Sequence, residues 1–350
     1  MRKIGKGVTT GVLALLTASL VIGALGGCGK GGTEEEAGSE GEVRTWKMAH
    51  TRATGTDNDR MAHMFADKVE AALEGVDITI YPNNELGDYT VVQEAVSLGE
   101  VELNLSSLSN GVDPTLSVQI APYLVTSWEE AYKFYNSEDG IVTDYVKQQL
   151  EKQDIKLLAI IPKYFGAVGT TKEAMNPGDP TGSKGVKIRV PQMNSFEKFA
   201  SGIGFQTTPL AASEIFTALQ TKIVEGCCGG GAESYYNDFG ELIRYIYPLR
   251  THMENHWLYI SMETWNSLTE EEREKVTEIA KELEAYAYDL AQENEEKYFE
   301  LFRDQGTEVY EFTQQELDAY RAYVRTNVWP ELGGEYGEEL WNRITAEIGE

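Results

Sequence analysis

Cysteine is scarce in this chain. Cys28, Cys227 and Cys228 are the only three in 350 residues, and two of them are adjacent. That excludes a disulfide framework. For the adjacent pair two readings stand, a strained vicinal disulfide or two small buried thiols, and we favour the thiols. Basic side chains are also few, with 30 Lys+Arg against 57 Asp+Glu and a formal net charge of -27. This excludes electrostatic binding to nucleic acid and adhesion to an anionic membrane surface. Histidine is limited to His50, His63, His252 and His256. The last two are four apart, but their stretch is HMENH rather than the HExxH of zinc proteases, and no third ligand stands near. No metal is expected. The chain has no GxSxG, no Walker loop and no GxGxxG after a strand. Gly226–Glu233, GCCGGGAE, lacks the lysine and hydroxyl of a phosphate loop. No enzyme and no cofactor is expected.

What is there suits a packed, exported protein. Hydrophobic residues make up 41% and aromatics 10%, so a core is feasible, and the length allows two domains. Arg2, Lys3 and Lys6 precede an apolar run, Val12–Leu25, too short and too poorly flanked for a permanent span. The run ends LGGC, Leu25–Cys28, which looks like a bacterial lipobox. Residues 1–28 are read as a lipoprotein signal, with Cys28 lipidated (a palmitate-type anchor) after cleavage. Loss of the three basic residues takes the net charge from -27 to -30. Residues 29–43 are Gly-rich and acidic, a flexible tether. The expected location is the extracytoplasmic face of the cell membrane, held by lipid.

Periodicity then predicts β-α-β-α-β. A strand covers Thr45–Ala49, and a helix Asp57–Leu73 stops at Gly75. Val76, Ile78 and Ile80 alternate, Asp88–Leu98 is a second helix, and Val101, Leu103 and Leu105 alternate again. That order implies a parallel sheet, whose ligands bind beyond the carboxyl ends of strands. A second set follows. Ile155–Ile161 is an apolar strand, Lys187–Val190 a half-buried strand stopped by Pro191, and Ser195–Ile203 a helix. Ser213 is expected to cap a helix to Thr221, and Trp257–Met262 reads as a strand. From Thr269 one long helix begins with a capping box, Thr269 and Glu272.

Five stretches, in order, carry a resemblance: YPNNELG (Tyr81–Gly87), APYL (Ala121–Leu124), GVKIRVP (Gly185–Pro191), SEIFTALQTKIVEG (Ser213–Gly226) and TWNSLTEEER (Thr264–Arg273). Over residues 44–345 the chain resembles the solute-binding subunit of TRAP (tripartite ATP-independent periplasmic) transporters. The resemblance implies an α/β, two-lobed periplasmic-binding-protein-like fold. Hinge strands join the lobes, and a long C-terminal helix spans both. Expected boundaries are 44–166 plus about 255–295 for lobe I, and 167–254 plus about 296–350 for lobe II. It also implies capture of a carboxylate between the lobes, by a monomer, for delivery to permease subunits driven by an ion gradient. A sensory lipoprotein signalling to a membrane partner is the alternative.

The resemblance further implies that Arg189, in the KIRVP motif, pairs with the ligand carboxylate, as its planar fork allows. Three positions depart from the family. Gly166 stands where it carries arginine, Gly229 where it carries asparagine, and Ala212 where it carries phenylalanine. An enlarged, less polar pocket for a bulkier monocarboxylate is the expectation, with a cation clamp kept at one point only. Gln192 could reach in beside Arg189. Weaker candidates are His50, Thr51 and Thr56 after the first strand, Ser106 and Ser107 after the third, Tyr164 and Phe165 near the hinge, and Tyr235 and Tyr236 after the glycines.

Overall fold

The structure is a computed structural model that describes Val43–Ile348. The signal, Cys28 and all but the last residue of the tether lie outside the described residues. In chain order the elements are β1 (Arg44–His50), α1 (Asp57–Ala72), β2 (Val76–Tyr81), α2 (Tyr89–Ser97), β3 (Leu103–Ser106), α3 (Trp128–Tyr135), α4 (Ile141–Glu151), β4 (Ile155–Phe165), β5 (Ala167–Thr170), β6 (Lys187–Val190), α5 (Asn194–Gly202), β7 (Gln206–Pro209), α6 (Ile215–Gln220), β8 (Gly226–Gly230), α7 (Ala232–Phe239), β9 (Tyr245–Tyr247), β10 (Met253–Ser261), α8 (Met262–Ser267), α9 (Glu270–Asp304), β11 (Glu308–Val309), α10 (Gln314–Asn327), α11 (Trp329–Leu332) and α12 (Glu338–Ile348).

They build two sheets. The first has the order β2-β1-β3-β10-β4, the second β11-β9-β5-β8-β6-β7. β1 pairs in parallel with β2 and β3, as the early β-α-β-α-β order implies. The first sheet is nevertheless mixed, because β10 arrives from far later in the chain and runs antiparallel to both β3 and β4. Its apolar run packs one face against α1 and α9 through Leu258 and Ile260. In the second sheet β6 lies in parallel between β7 and β8.

The chain crosses between sheets where β4 ends at Phe165 and β5 begins at Ala167, and crosses back between β9 and β10. The crossings are tied together. Gly166 N donates to His252 O (2.8 Å), and Thr251 N donates to Gly166 O (3.0 Å). We call this junction the seam. α9 passes it as well, packing on α1 and β4 of the first sheet and on α7 and β11 of the second. Its capping box is made, with Glu272 N bonded to Thr269 Oγ1 (3.2 Å) and Thr269 N to the Glu272 carboxylate (2.8 Å). At 1.5 Å per residue the helix is about 50 Å long.

One local expectation is corrected. Ser213 caps no helix; Ala212–Glu214 form a 3-10 turn, and the Glu214 carboxylate accepts from Ala211 N (3.0 Å) before α6 starts. At the tail, α12 packs on α4 and α10 on α5. The adjacent cysteines are free thiols. Successive strand residues face opposite sides, so Cys227 enters the cluster around Tyr235 and Phe302, and Cys228 the cluster around Ile188 and Phe196. Burial pushes both thiols up to about 12. They are packing groups, and the vicinal-disulfide reading falls.

Candidate functional site

Arg189 is the penultimate residue of β6, opposite Thr208 of β7 and Cys227 of β8. It is only 6% exposed. Its Nε donates to Leu210 O (2.8 Å) and its Nη1 to Cys228 O (3.3 Å). Both acceptors are neutral carbonyls. Among the described residues Nη2 meets no acceptor, and no carboxylate comes within ion-pair distance. Burial lowers its pKa from the ordinary arginine value. A buried charge without a counter-charge is costly, so the carboxyl end of this strand is prepared for an anion.

Gly229 lies alongside, at φ +94°, a region other residues enter only under strain. A Cβ there would fall 2.4 Å from Pro191 Cγ and 3.5 Å from Arg189 Nη1. Gly166 is equally constrained, since its Cβ would meet the His252 ring and the Thr251 hydroxyl at 2.3 Å. The expected enlargement of the pocket is therefore corrected at both positions. The Pro191 and His252 rings already stand where side chains would go. The third position, Ala212, is exposed, as is Gln192. His252 is held by Thr251 Oγ1 at Nδ1 (2.8 Å) and by the edge of Phe196 (4.9 Å between ring centres). Burial drives its pKa down to about 3, so it is neutral.

Other expected site residues are committed to the chain itself. Phe165 packs edge-on to Trp128 (5.0 Å) and under the Arg250 guanidinium (4.6 Å). The Tyr235 hydroxyl donates to Ala167 O (2.9 Å) and accepts from Gly230 N (3.1 Å), bracing β5 and β8 beneath the glycines. Thr56 is the N-cap of α1. His50 bonds Asp59 through Nε2 (3.1 Å), and Ser106 Oγ accepts from Asn104 (2.6 Å). His256 bonds Asn58 (2.5 Å), and no cluster able to hold a metal is found among the described residues.

Sequence reasoning missed a charged group on the first-sheet side of the seam. Lys163, on β4, reaches Glu233 of α7 (3.4 Å) with both side chains largely buried. Arg52, after β1, lies 3.9 Å from Asp238 of α7. Both pairs cross the seam, so these two cations are matched by acids of the chain. Burial lowers the Lys163 pKa, with Glu233 opposing. Burial also works against the Arg52 charge, but Tyr164, Asp238, Glu254 and Glu233 outweigh it and hold its pKa above the ordinary value. Glu254, on β10 opposite Tyr164, accepts from Ser107 Oγ (2.7 Å). Tyr89, at the start of α2, is near enough to feel both Glu254 and Arg189. For Lys163 a local signal existed: KYF carries a lysine where the strand should be apolar.

The model of the family described as bacterial extracellular solute-binding protein, family 7, matches residues 48–332. The C4-dicarboxylate-binding periplasmic protein DctP of Rhodobacter capsulatus is 26% identical over 310 residues, 87% of this chain and 91% of that protein. The sialic acid-binding periplasmic protein SiaP of Vibrio cholerae is 22% identical over 322 residues, 90% of this chain and 96% of that one. A crystal structure of a TRAP periplasmic solute-binding protein from Haemophilus influenzae, with bound L-gulonate, superposes with TM-score 0.75. It is 23% identical and covers 87% of this chain and 99% of its own. That likeness is one of fold.

Proposed function

The chain belongs to family 7 of the bacterial extracellular solute-binding proteins, and from that premise we propose that it captures an organic anion at the seam and delivers it to the membrane subunits of a TRAP transporter. The role is binding, not catalysis. One observation carries the ligand's charge: Arg189 is buried, bonded only to carbonyls, and among the described residues has no acid within ion-pair distance. A carboxylate offers its guanidinium two parallel bonds. The test is a thermal-shift series with organic acids, since a ligand of the folded state raises Tm with its concentration. An acid that stabilises the native protein should fail to stabilise Arg189→Ala, whose far-ultraviolet circular dichroism stays native. An equal shift in both proteins overturns the assignment.

Attachment to the membrane through lipidated Cys28 is part of the same proposal and is supported by the LGGC box. Full-length Cys28→Ala should move from the membrane fraction to the soluble fraction. Unchanged retention would reject the anchor.

A further inference from the structure

Glu254 stands out among the acids at the seam. Its side chain is only 13% exposed. One oxygen, Oε1, accepts from Ser107. The other, Oε2, has no donor within hydrogen-bond distance among the described residues; its nearest basic neighbour, His252 Nε2, is 3.9 Å away. His252 Nε2 is itself buried and unpartnered. By contrast Glu233 and Asp238 each face a cation across the seam.

Glu254 and Arg189 are linked through neighbouring residues. Glu254 is paired in register with Tyr164. The Tyr164 ring is so close to Gly231 that a Cβ there would lie 2.3 Å from it. Two residues back is Gly229, against Arg189 Nη1. Tyr89 completes the surround from α2, within the field of both charges. One end of this link lacks an acceptor for a guanidinium hydrogen. The other lacks a donor for a carboxylate oxygen.

We propose that Glu254 sets the ligand class of this site: its Oε2 accepts from a hydroxyl of a hydroxylated monocarboxylate and repels a second ligand carboxylate. This rests on the reading that Arg189 takes the first carboxylate. A hydroxyl can donate to Oε2 without bringing another charge into this poorly solvated place. A diacid would set carboxylate against carboxylate in a poorly solvated place, where like charges cost most. A site built to bond a hydroxyl also rejects analogues that lack it, because its polar group is left unpaired.

Two matched pairs of probes test this by calorimetry: L-gulonate with D-glucarate, and D-erythronate with meso-tartrate. Each diacid is its partner's carbon chain with the far end oxidised. Native protein should bind at least one monocarboxylate about tenfold or more tighter than its diacid. Glu254→Gln keeps size and removes charge, so it should shrink that ratio about tenfold, with Tm of the unliganded protein as the folding control. Ser107→Ala should shift the ratio less, since the carboxylate remains. Arg189→Ala separates the two claims, because loss of all binding there supports the site. If Arg189→Ala abolishes binding and Glu254→Gln leaves the ratio unchanged, the role of Glu254 is overturned while the site stands. Failure of both monocarboxylates to bind, or a native preference for a diacid, also overturns it. Binding indifferent to Arg189→Ala overturns the underlying site.

Discussion

On the second-sheet side of the seam, Arg189 is buried among carbonyls, with no acid in reach among the described residues. On the first-sheet side, Lys163 and Arg52 each face an acid on α7. Both sides carry cations, yet they differ in what completes them. Lys163 is matched within the folded chain, and Arg189 is, on the proposed reading, left for the ligand. A buried cation is therefore a poor indicator of a ligand site until its acids are counted. Lys163 and Glu233 work as a clasp between elements of the two sheets, whereas Arg189 is an open contact.

The largest expected effect tests the open side. Removing one partner of a desolvated charge pair costs about 2–5 kcal/mol, so Arg189→Ala should weaken binding of the anion roughly 30- to several-thousand-fold in calorimetry. Arg189→Lys should recover only part, because an ammonium cannot form the planar fork. Unfolding in urea without ligand should change far less. A severe loss of apo stability with binding intact would erase the contrast.

The matched side predicts the reverse. Lys163→Met leaves Glu233 buried without its partner and should lower stability by about 3 kcal/mol. Lys163→Met with Glu233→Gln should recover much of it, and urea unfolding of the single and double variants measures this. If the single variant is as stable as the parent, the clasp has no energetic content.

A smaller effect concerns His252, at the crossing itself. Its folded pKa lies near 3, because burial penalises the charged ring, against about 6.5 in the unfolded chain. The unfolded state therefore takes up a proton that the folded state refuses. The contribution of this group is complete above pH 6.5 and is lost as pH falls toward 3. At 1.36 kcal/mol per pH unit, it amounts to about 2 kcal/mol between pH 6.5 and 5. His252→Phe should remove that part of the slope in urea unfolding, whatever its absolute stability. An identical slope would show that the ring titrates freely in the folded protein.

Much of the frame was legible because its signals are local. The alternation of Val186, Ile188 and Val190, the box at Thr269 and Glu272, and the order of β1 through β3 depend on neighbours within a few residues. The insertion of β10 between β3 and β4 depends on a strand more than a hundred residues away, and nothing near Leu103 announces it. The site divides the same way. Arg189 was marked by a motif, but Lys163, Arg52 and Glu254 are single charges in a chain that is 25% charged, and only folding shows which are buried together. Gly166 and Gly229 suggested empty space, since a sequence shows the missing side chain and not the His252 or Pro191 ring in its place.

The reciprocal bonds of Gly166 with Thr251 and His252 have a mechanical consequence. They make the two crossings one ribbon instead of two independent threads. A two-stranded ribbon bends readily across its flat face and twists, but it resists sliding in its own plane, where the bonds would have to break. If the two sides move on capturing an anion, they have few directions in which to do so. The fewer the alternative poses of the empty receptor, the less freedom the ligand must remove to assemble its site, and the more reproducible is the closed surface offered to the membrane subunits.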